Sequence, residues 1–371
     1  MVVYILAPAN IYTGGPTALF QLCNTLQYKF NIDTYIAFYN MSEEDPVHPN
    51  YRKYNCKWIP YHNIDDNPSN YIIAPEVVPY LLKQFKKINK ILYFLSVDNY
   101  ILNTHQTSKL KRRFNFLLFM LKFYPRDLIN LLLNNEIKRN MSRFYYNEFC
   151  AYYVTKMIRK KNIIVHHADT LLYIAQSKYV AEFLKQQGIE QDKIILIREP
   201  LEEEYIKIAE NSKLVEHKED SIAWNARKSY PITSKLVDLL SKKYTIYRLD
   251  NVGKEKMIEI LSKTKIYIDI GLHPGRDRPP REAVALWNIP IVNIHGGLFY
   301  YEDFPTSTKF KVNCYDICKN IDIGHLHEMI SQYMKNYHVL IKELDEFRNY
   351  IINESRNYMN DVKKFIERIG L

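Results

Sequence analysis

Between Ile270 and Ala283 the chain reads IGLHPGRDRPPREA, which places three arginines (Arg276, Arg278, Arg281), His273, Asp277, Glu282 and two glycines in fourteen residues. An apolar, strand-like segment precedes this run, and a helix is expected to open at Arg281, with Pro280, Arg281 and Glu282 in its first turn. Free backbone N–H groups and the helix dipole attract anions there, and arginine forks hold phosphate oxygens in pairs. The combination fits a diphosphate, with Gly275 allowing close backbone approach and Glu282 accepting hydrogen bonds from ligand hydroxyls such as those of a ribose. A solvated loop with a capping glutamate is the competing reading. Trp224-Asn225-Ala226-Arg227-Lys228 also follows a strand-like segment and precedes a helical one; Arg227 and Lys228 could meet the same phosphates from the other side.

Weaker signals lie in the first half. Gly14-Gly15 follows the first apolar run and lets backbone approach a ligand, although it is not the GxGxxG of dinucleotide sites. Glu76 and Asp98 each sit just past a strand-like segment, and either could act as a base on an acceptor hydroxyl or orient it. Asn99 joins them as an acceptor-side candidate. His166-His167 and His325/His327 have no cysteine or acid at metal-ligand spacing and read as surface or core histidines. None of the 18 aspartates lies two residues from another, so no Asp-x-Asp is present to hold a divalent metal, and no P-loop, Gly-x-Ser-x-Gly or His-Glu-x-x-His occurs.

The elements that must position these residues follow from length and periodicity. The chain has 371 residues, 47% hydrophobic and 25% charged, which fits two globular domains and excludes disordered, collagen-like and low-complexity classes. Strand-like segments at 2–6, 33–38, 70–74, 90–95, 170–176 and 193–197 alternate with helical ones at 77–88 and 178–187, Gly188 serving as a C-cap. The motif Ser96–Tyr100 reads as a loop. An acidic stretch from Glu199 to Asp220 is the expected linker. A second set follows: strands 221–224, 244–249, 265–270 and 289–293, helices 233–242, 254–262 and 281–287, a Gly296-Gly297 loop, and then helices from His325 onward. Strands alternating with helices imply parallel α/β sheets, whose ligands bind at the carboxyl ends of the strands. The expected organisation is a Rossmann-like domain over 1–200 with a basic helical insert at about 106–145, a second over 201–345, and a closing helix, 346–371, that packs back on the first.

The net charge of +10 is unevenly distributed. Seventeen lysines and arginines stand against four acids between Lys83 and Lys161, a local +13 that leaves −3 for the rest. Within the insert, Lys109, Lys111, Arg112 and Arg113 flank Phe114–Leu121, while Lys122, Arg126, Lys138 and Arg139 flank Leu128–Leu133. Such a mixture suits an anionic membrane interface, or an ordinary two-helix insertion that packs its Leu and Phe inward. Five scattered cysteines support neither a disulfide framework nor a zinc ribbon, and a reducing cytoplasm is the natural compartment. No signal-peptide order opens the chain and no apolar run approaches a bilayer span, so the expected location is cytoplasmic, with peripheral contact to the cytoplasmic face of a membrane through the insert.

Taken together, these motifs resemble the GT-B glycosyltransferases, and within them the family-4-like enzymes of surface polysaccharide and lipopolysaccharide synthesis. The resemblance rests on Gly14-Gly15, Pro75-Glu76, Leu95–Tyr100, Ala175–Tyr179 and above all His273–Arg278 with Pro280–Ala283. It implies two Rossmann-like domains facing across a cleft, with the nucleotide sugar bound by the C-terminal one. It gives Glu282 the nucleotide ribose and Arg227 and Lys228 the diphosphate, shared with Arg276, Arg278 and Arg281. The family pattern has a second glutamate eight residues before Glu282, where this chain has Pro274; His273, Arg278 and Asp277 then take over sugar and phosphate contacts, with Asp98, His273 and Glu282 as the catalytic candidates. The implied reaction is a metal-independent, retaining hexosyl transfer from a nucleotide sugar to a saccharide or lipid-linked acceptor, with no cofactor. The competing functions are nucleic-acid binding through the basic 83–161 region and a GT-B-like nucleotide-sugar epimerase; no nucleic-acid partner is expected under the glycosyl-transfer reading.

Overall fold

The computed structural model describes residues 1–105, 108–133, 135–161, 163–164, 169–314 and 321–370. Two compact units divide the chain, the first made of 1–100, 161–200 and 354–371, the second of 101–160 and 201–353. Each is built on a parallel sheet, one of seven strands and one of five. The insert expected at about 106–145 falls within 101–160, which clusters with the second unit instead of the first, and the closing segment, expected from 346, joins the first unit at Glu354.

The first sheet runs β3-β2-β1-β4-β5-β6-β7, with β1 (Val3–Pro8), β2 (Thr34–Tyr39), β3 (Trp58–Pro60), β4 (Tyr71–Pro75), β5 (Asn89–Phe94), β6 (Thr170–Ala175) and β7 (Ile194–Leu196). Val3, Ile5 and Ala7 are wholly buried, as are Ile36, Ile73, Ile91 and Ile174 in the neighbouring strands. Near-continuous apolar strands are what a parallel sheet covered on both faces requires. Helix α1 (Gly14–Lys29) packs Ala18, Leu19, Leu22, Cys23 and Leu26 into this core. The unit also contains the first turn of α2 (Val97–His105), which supplants the expected loop because the Ser96 hydroxyl accepts the Asn99 N–H at 3.0 Å and caps the helix.

The helix expected at 77–88 is not formed. Only a 3₁₀ segment, Pro79–Gln84, is present, and the N–H groups of Lys86, Lys87 and Ile88 are all taken by the Asp66 carboxylate at 2.9 Å, which pulls the chain out of helical geometry.

The second unit opens with α3 (Lys109–Phe123), α4 (Pro125–Leu133) and α5 (Asn135–Ile158), while α6 (Lys178–Gln186) returns to the first unit after β6. Beyond α7 (Glu203–Ala209) the second sheet runs β12-β11-β10-β8-β9, with β8 (Glu219–Asn225), β9 (Thr245–Leu249), β10 (Thr264–Asp269), β11 (Ile289–Asn293) and a two-residue β12 (Lys311–Val312). Its covering helices are α8 (Pro231–Leu240), α9 (Lys254–Lys263), α10 (Arg278–Ala285), α11 (Ile323–Lys335), α12 (Tyr337–Leu340) and α13 (Asp345–Ile352).

The last helix, α14 (Glu354–Arg368), belongs to the first unit and buries Tyr358, Val362, Phe365 and Ile366 in the same core as α1. Arg198, which follows β7, donates from Nε and Nη2 to the two oxygens of Asp361 at 3.0 Å, fixing the helix in register. Among the described residues no helix is long and apolar enough to cross a membrane. Cys23, Cys56 and Cys150 are free thiols and Cys314 is in a disulfide, a bond that the sequence reading did not anticipate.

Phe365 is fully buried between sheet and helix, so Phe365→Ala is expected to lower the stability of the first unit by about 3 kcal/mol or more; urea unfolding followed by hydrogen exchange in β1 and β4 measures it.

Candidate active site

Three neighbouring strands of the second sheet, β11, β10 and β8, end in polar residues: Asn293, Asp269 and Asn225, all buried. An apolar strand that closes on a buried amide or carboxylate needs partners there, and these three find them in one another's loops. Asn293 Oδ1 accepts the Gly271 N–H at 2.9 Å. Asp269 Oδ2 accepts from Asn225 Nδ2 at 2.8 Å and from the Tyr267 hydroxyl at 2.7 Å. The loops after β8 and β10 then touch backbone to backbone: Leu272 N–H donates to Lys228 C=O at 2.9 Å and Tyr230 N–H to Ile270 C=O at 3.1 Å. A Cβ at Gly271 would stand 2.2 Å from the Lys228 carbonyl oxygen, and one at Gly297 would stand 2.6 Å from that of Gly275. Glycine is required at both positions for lack of space.

Above this floor His273 is wholly buried. Its Nδ1 lies 2.9 Å from Asp277 Oδ2 and its Nε2 lies 3.0 Å from the Asp269 carbonyl oxygen. Both partners are acceptors, a setting that favours a proton on each ring nitrogen. Burial works against that charge, but the carboxylates of Asp269 and Asp277 outweigh it and hold the His273 pKa above its ordinary value. Burial likewise pushes Asp277 up, while Lys228 and His273 outweigh it and hold that carboxyl below the usual range. Lys228 Nζ reaches the same Asp277 Oδ2 at 2.9 Å. His273 and Lys228 are therefore committed to carboxylates inside the loop.

The arginines divide by exposure. Arg281 is fully buried and Arg276 nearly so. Arg281 donates from Nε to the Asp277 carbonyl at 3.4 Å and from Nη2 to that of Arg276 at 3.5 Å, stitching the loop to its own helix. Arg276 donates to the Tyr350 hydroxyl at 3.2 Å and lies over that ring. Arg278 is half-buried and Arg227 exposed, so these two side chains are the ones that reach solvent.

Helix α10 begins at Arg278, one turn earlier than expected, because prolines fit its first positions. Pro279 and Pro280 have no N–H, so the backbone donors expected at this terminus are reduced; the dipole remains. Glu282 falls in the second turn, where burial raises its carboxyl to about 7 against the opposing pull of Arg278 and Arg281.

Helix α5 contributes from the basic segment. Asn147 Nδ2 donates to the carbonyls of Arg227 and Ser229 at 3.2 and 3.0 Å, and Arg143 pairs with Asp250 at 2.6 Å while reaching the Ala226 carbonyl at 3.4 Å. These side chains hold the loop after β8, a role that the sequence reading missed, along with Asn225, Asp269, Asn293 and Gly271. The visible signal was a polar residue closing each of three apolar strands.

Gly14, Gly15, Glu76, Asp98 and Asn99 lie in the first unit. Gly14 and Gly15 start α1, and a Cβ at Gly15 would make only an ordinary 3.6 Å contact with Leu95. Glu76 is buried, accepts the Leu95 N–H at 2.9 Å and is raised to about 8 by burial. Asp98 is wholly buried and accepts from the Tyr179 hydroxyl at 2.9 Å, whereas Asn99 is exposed. His325 and His327 lie on α11, and His166 and His167 fall outside the described residues. Among the described residues no group of three or more His, Cys, Asp or Glu is arranged to hold a metal.

No protein-family model and no curated protein matches the sequence. Solved structures match over almost the whole chain. A glycosyltransferase from Rickettsia africae aligns at a TM-score of 0.57 with 14% identity, covering 100% of this chain and 98% of that one. Sucrose-phosphate synthase from Thermosynechococcus elongatus aligns at 0.56 with 10% identity, covering 99% and 98%. HepE from Anabaena, solved in complex with UDP, aligns at 0.54 with 6% identity, covering 99% and 100%. At these identities the likeness is one of fold, and that fold is the GT-B fold.

Gly271→Ala is expected to cost about 2 kcal/mol or more by overpacking, measured as a shift of the urea midpoint, whereas Gly15→Ala leaves it within error. His273 has a raised pKa in the folded chain, so its contribution is complete below the unfolded value near 6.5 and fades as pH rises through the folded value. The melting-temperature deficit of His273→Gln is accordingly larger at pH 6.5 than at pH 9.

Proposed function

We propose that this chain is a glycosyltransferase that moves a sugar from a nucleoside-diphosphate donor held by the second unit. The observation that carries the reading is the loop Gly271–Asp277. It is pinned at the carboxyl edge of a parallel sheet by buried polar strand ends, and it leads into a helix N-terminus beside the two solvent-reaching arginines, Arg227 and Arg278. Similarity to fold relatives solved with UDP and UDP-glucose supports a nucleotide-sugar donor. Arg278, Arg227 and the α10 dipole face the negative charge that builds on the departing diphosphate. His273 and Lys228, answered by Asp269 and Asp277, keep the loop in shape instead of contacting the phosphates. Glu282 accepts from donor hydroxyls.

In this reading the first unit meets the acceptor at the loops after β4 and β5. Asn99 reaches the acceptor there, while Glu76 and Asp98 hold the loops from within. The reaction uses arginine instead of a metal and retains the anomeric configuration. The acceptor is a saccharide or a lipid-linked glycan of a surface polymer, met on the cytoplasmic side.

The test is product analysis with UDP-, GDP- and ADP-sugars, with and without glycan acceptors. Arg278→Ala and Glu282→Ala each lower transfer by roughly 100-fold or more while the urea midpoint stays near wild type. Full activity in both variants refutes the site, and release of free sugar at the same rate without an acceptor points to an epimerase.

A further inference from the structure

The basic segment presents an apolar surface that its own packing does not use. Helix α3 has two apolar faces. Phe116, Phe119, Met120 and Phe123 turn inward and pack with Tyr124, Tyr145 and Phe149. On the opposite side Leu110, Phe114, Leu117, Leu118 and Leu121 are exposed, at 79%, 58%, 43%, 48% and 52%. At about 100° per residue these five fall within a sector of roughly 100°, one continuous stripe along the helix. Lys111 and Lys122 border one edge of that sector, and Arg113 borders the other, all three exposed. No acid occurs anywhere in α3. The next helix adds an exposed Ile129 and an exposed Arg126.

The inward face packs as an ordinary insertion does, and the outward face is left to solvent. Phe116, Phe119 and Phe123 fill an ordinary core, and Phe114 and the four leucines do not. Leu and Phe in a solvent-facing stripe are costly in water, and a stripe edged on both sides by cations matches one surface chemically. The acyl boundary of an anionic bilayer accepts the apolar side chains, while Lys and Arg stems extend sideways to the headgroup phosphates. A second copy of the chain would place cations against cations along both edges.

We infer that the exposed face of α3, Leu110 to Leu121, is a docking surface for an anionic lipid bilayer, lying in the plane of the interface. This names the segment behind the membrane-side part of the function proposed above, and it stands apart from the transfer chemistry, since Leu272 of the site loop packs against the cluster on the inward side of α3 and none of the outward residues belongs to that cluster.

Flotation of the full chain with phosphatidylcholine vesicles, with and without phosphatidylglycerol, tests it. The protein is expected to float with the phosphatidylglycerol vesicles and remain at the bottom with phosphatidylcholine alone, and added salt weakens the binding. The double variants Leu117→Asp/Leu121→Asp and Lys111→Glu/Lys122→Glu are each expected to lose flotation while keeping the wild-type melting temperature and any nucleotide-induced thermal shift. Wild-type protein that fails to float with either lipid overturns the inference, as does undiminished flotation of both variants. So does sedimentation that shows a dimer abolished by Leu117→Asp/Leu121→Asp, which would assign the face to a second copy. None of these outcomes depends on transferase activity, so failure here leaves the donor-site assignment open to its own test.

Discussion

The candidate site depends on a backbone contact with no room for a side chain. Leu272 N–H meets the Lys228 carbonyl at 2.9 Å, and the Gly271 Cα lies where any Cβ would stand 2.2 Å from that oxygen. This contact brings the loops after β8 and β10 together, and the Gly297–Gly275 approach brings in the loop after β11 on the same terms. Parallel strands all release their chain at one edge, so their loops compete for the same space. Glycine lets three of them share it, and Asn225, Asp269 and Asn293 take up the polar groups left at the strand ends.

Charge in the loop is arranged in two layers. The inner layer, Asp269, His273, Asp277 and Lys228, is buried or half-buried and answers itself, which is how ionised groups are kept out of water at tolerable cost. The outer layer, Arg227 and Arg278, has solvent on one side, and the proposed donor contacts are assigned to it. The buried pair Arg276 and Arg281 serves the inner layer as scaffold, through Tyr350 and the loop's own carbonyls.

Much of this was legible before the structure. The strands were legible because a sheet covered on both faces demands nearly continuous apolar runs, and the run at 289–293 matches β11 residue for residue. The Arg-Gly-His-Glu loop was found by composition and position. What the sequence hid depended mostly on partners distant along the chain, with Asp66 intercepting the amides of 86–88 and α5 reaching the loop after β8 through Asn147, while α10 opens at Arg278, three residues before the expected start. Two-residue β12 and three-residue β3 are too short to leave a periodic signal. Periodicity also did not separate the inward phenylalanines of α3 from its outward leucines, because a helix apolar on two sides has no single polar face.

The central claim is that the loop Gly271–Asp277 and the start of α10 hold a nucleoside diphosphate. A crystal structure of the chain soaked with UDP, GDP or ADP tests it most directly. The account predicts diphosphate density within hydrogen-bond reach of the Arg278 guanidinium, with His273 still between Asp269 and Asp277 and a nucleoside hydroxyl on Glu282. A nucleotide bound away from this loop, or one that displaces His273 and Lys228 from Asp277 to reach the phosphates, would contradict it.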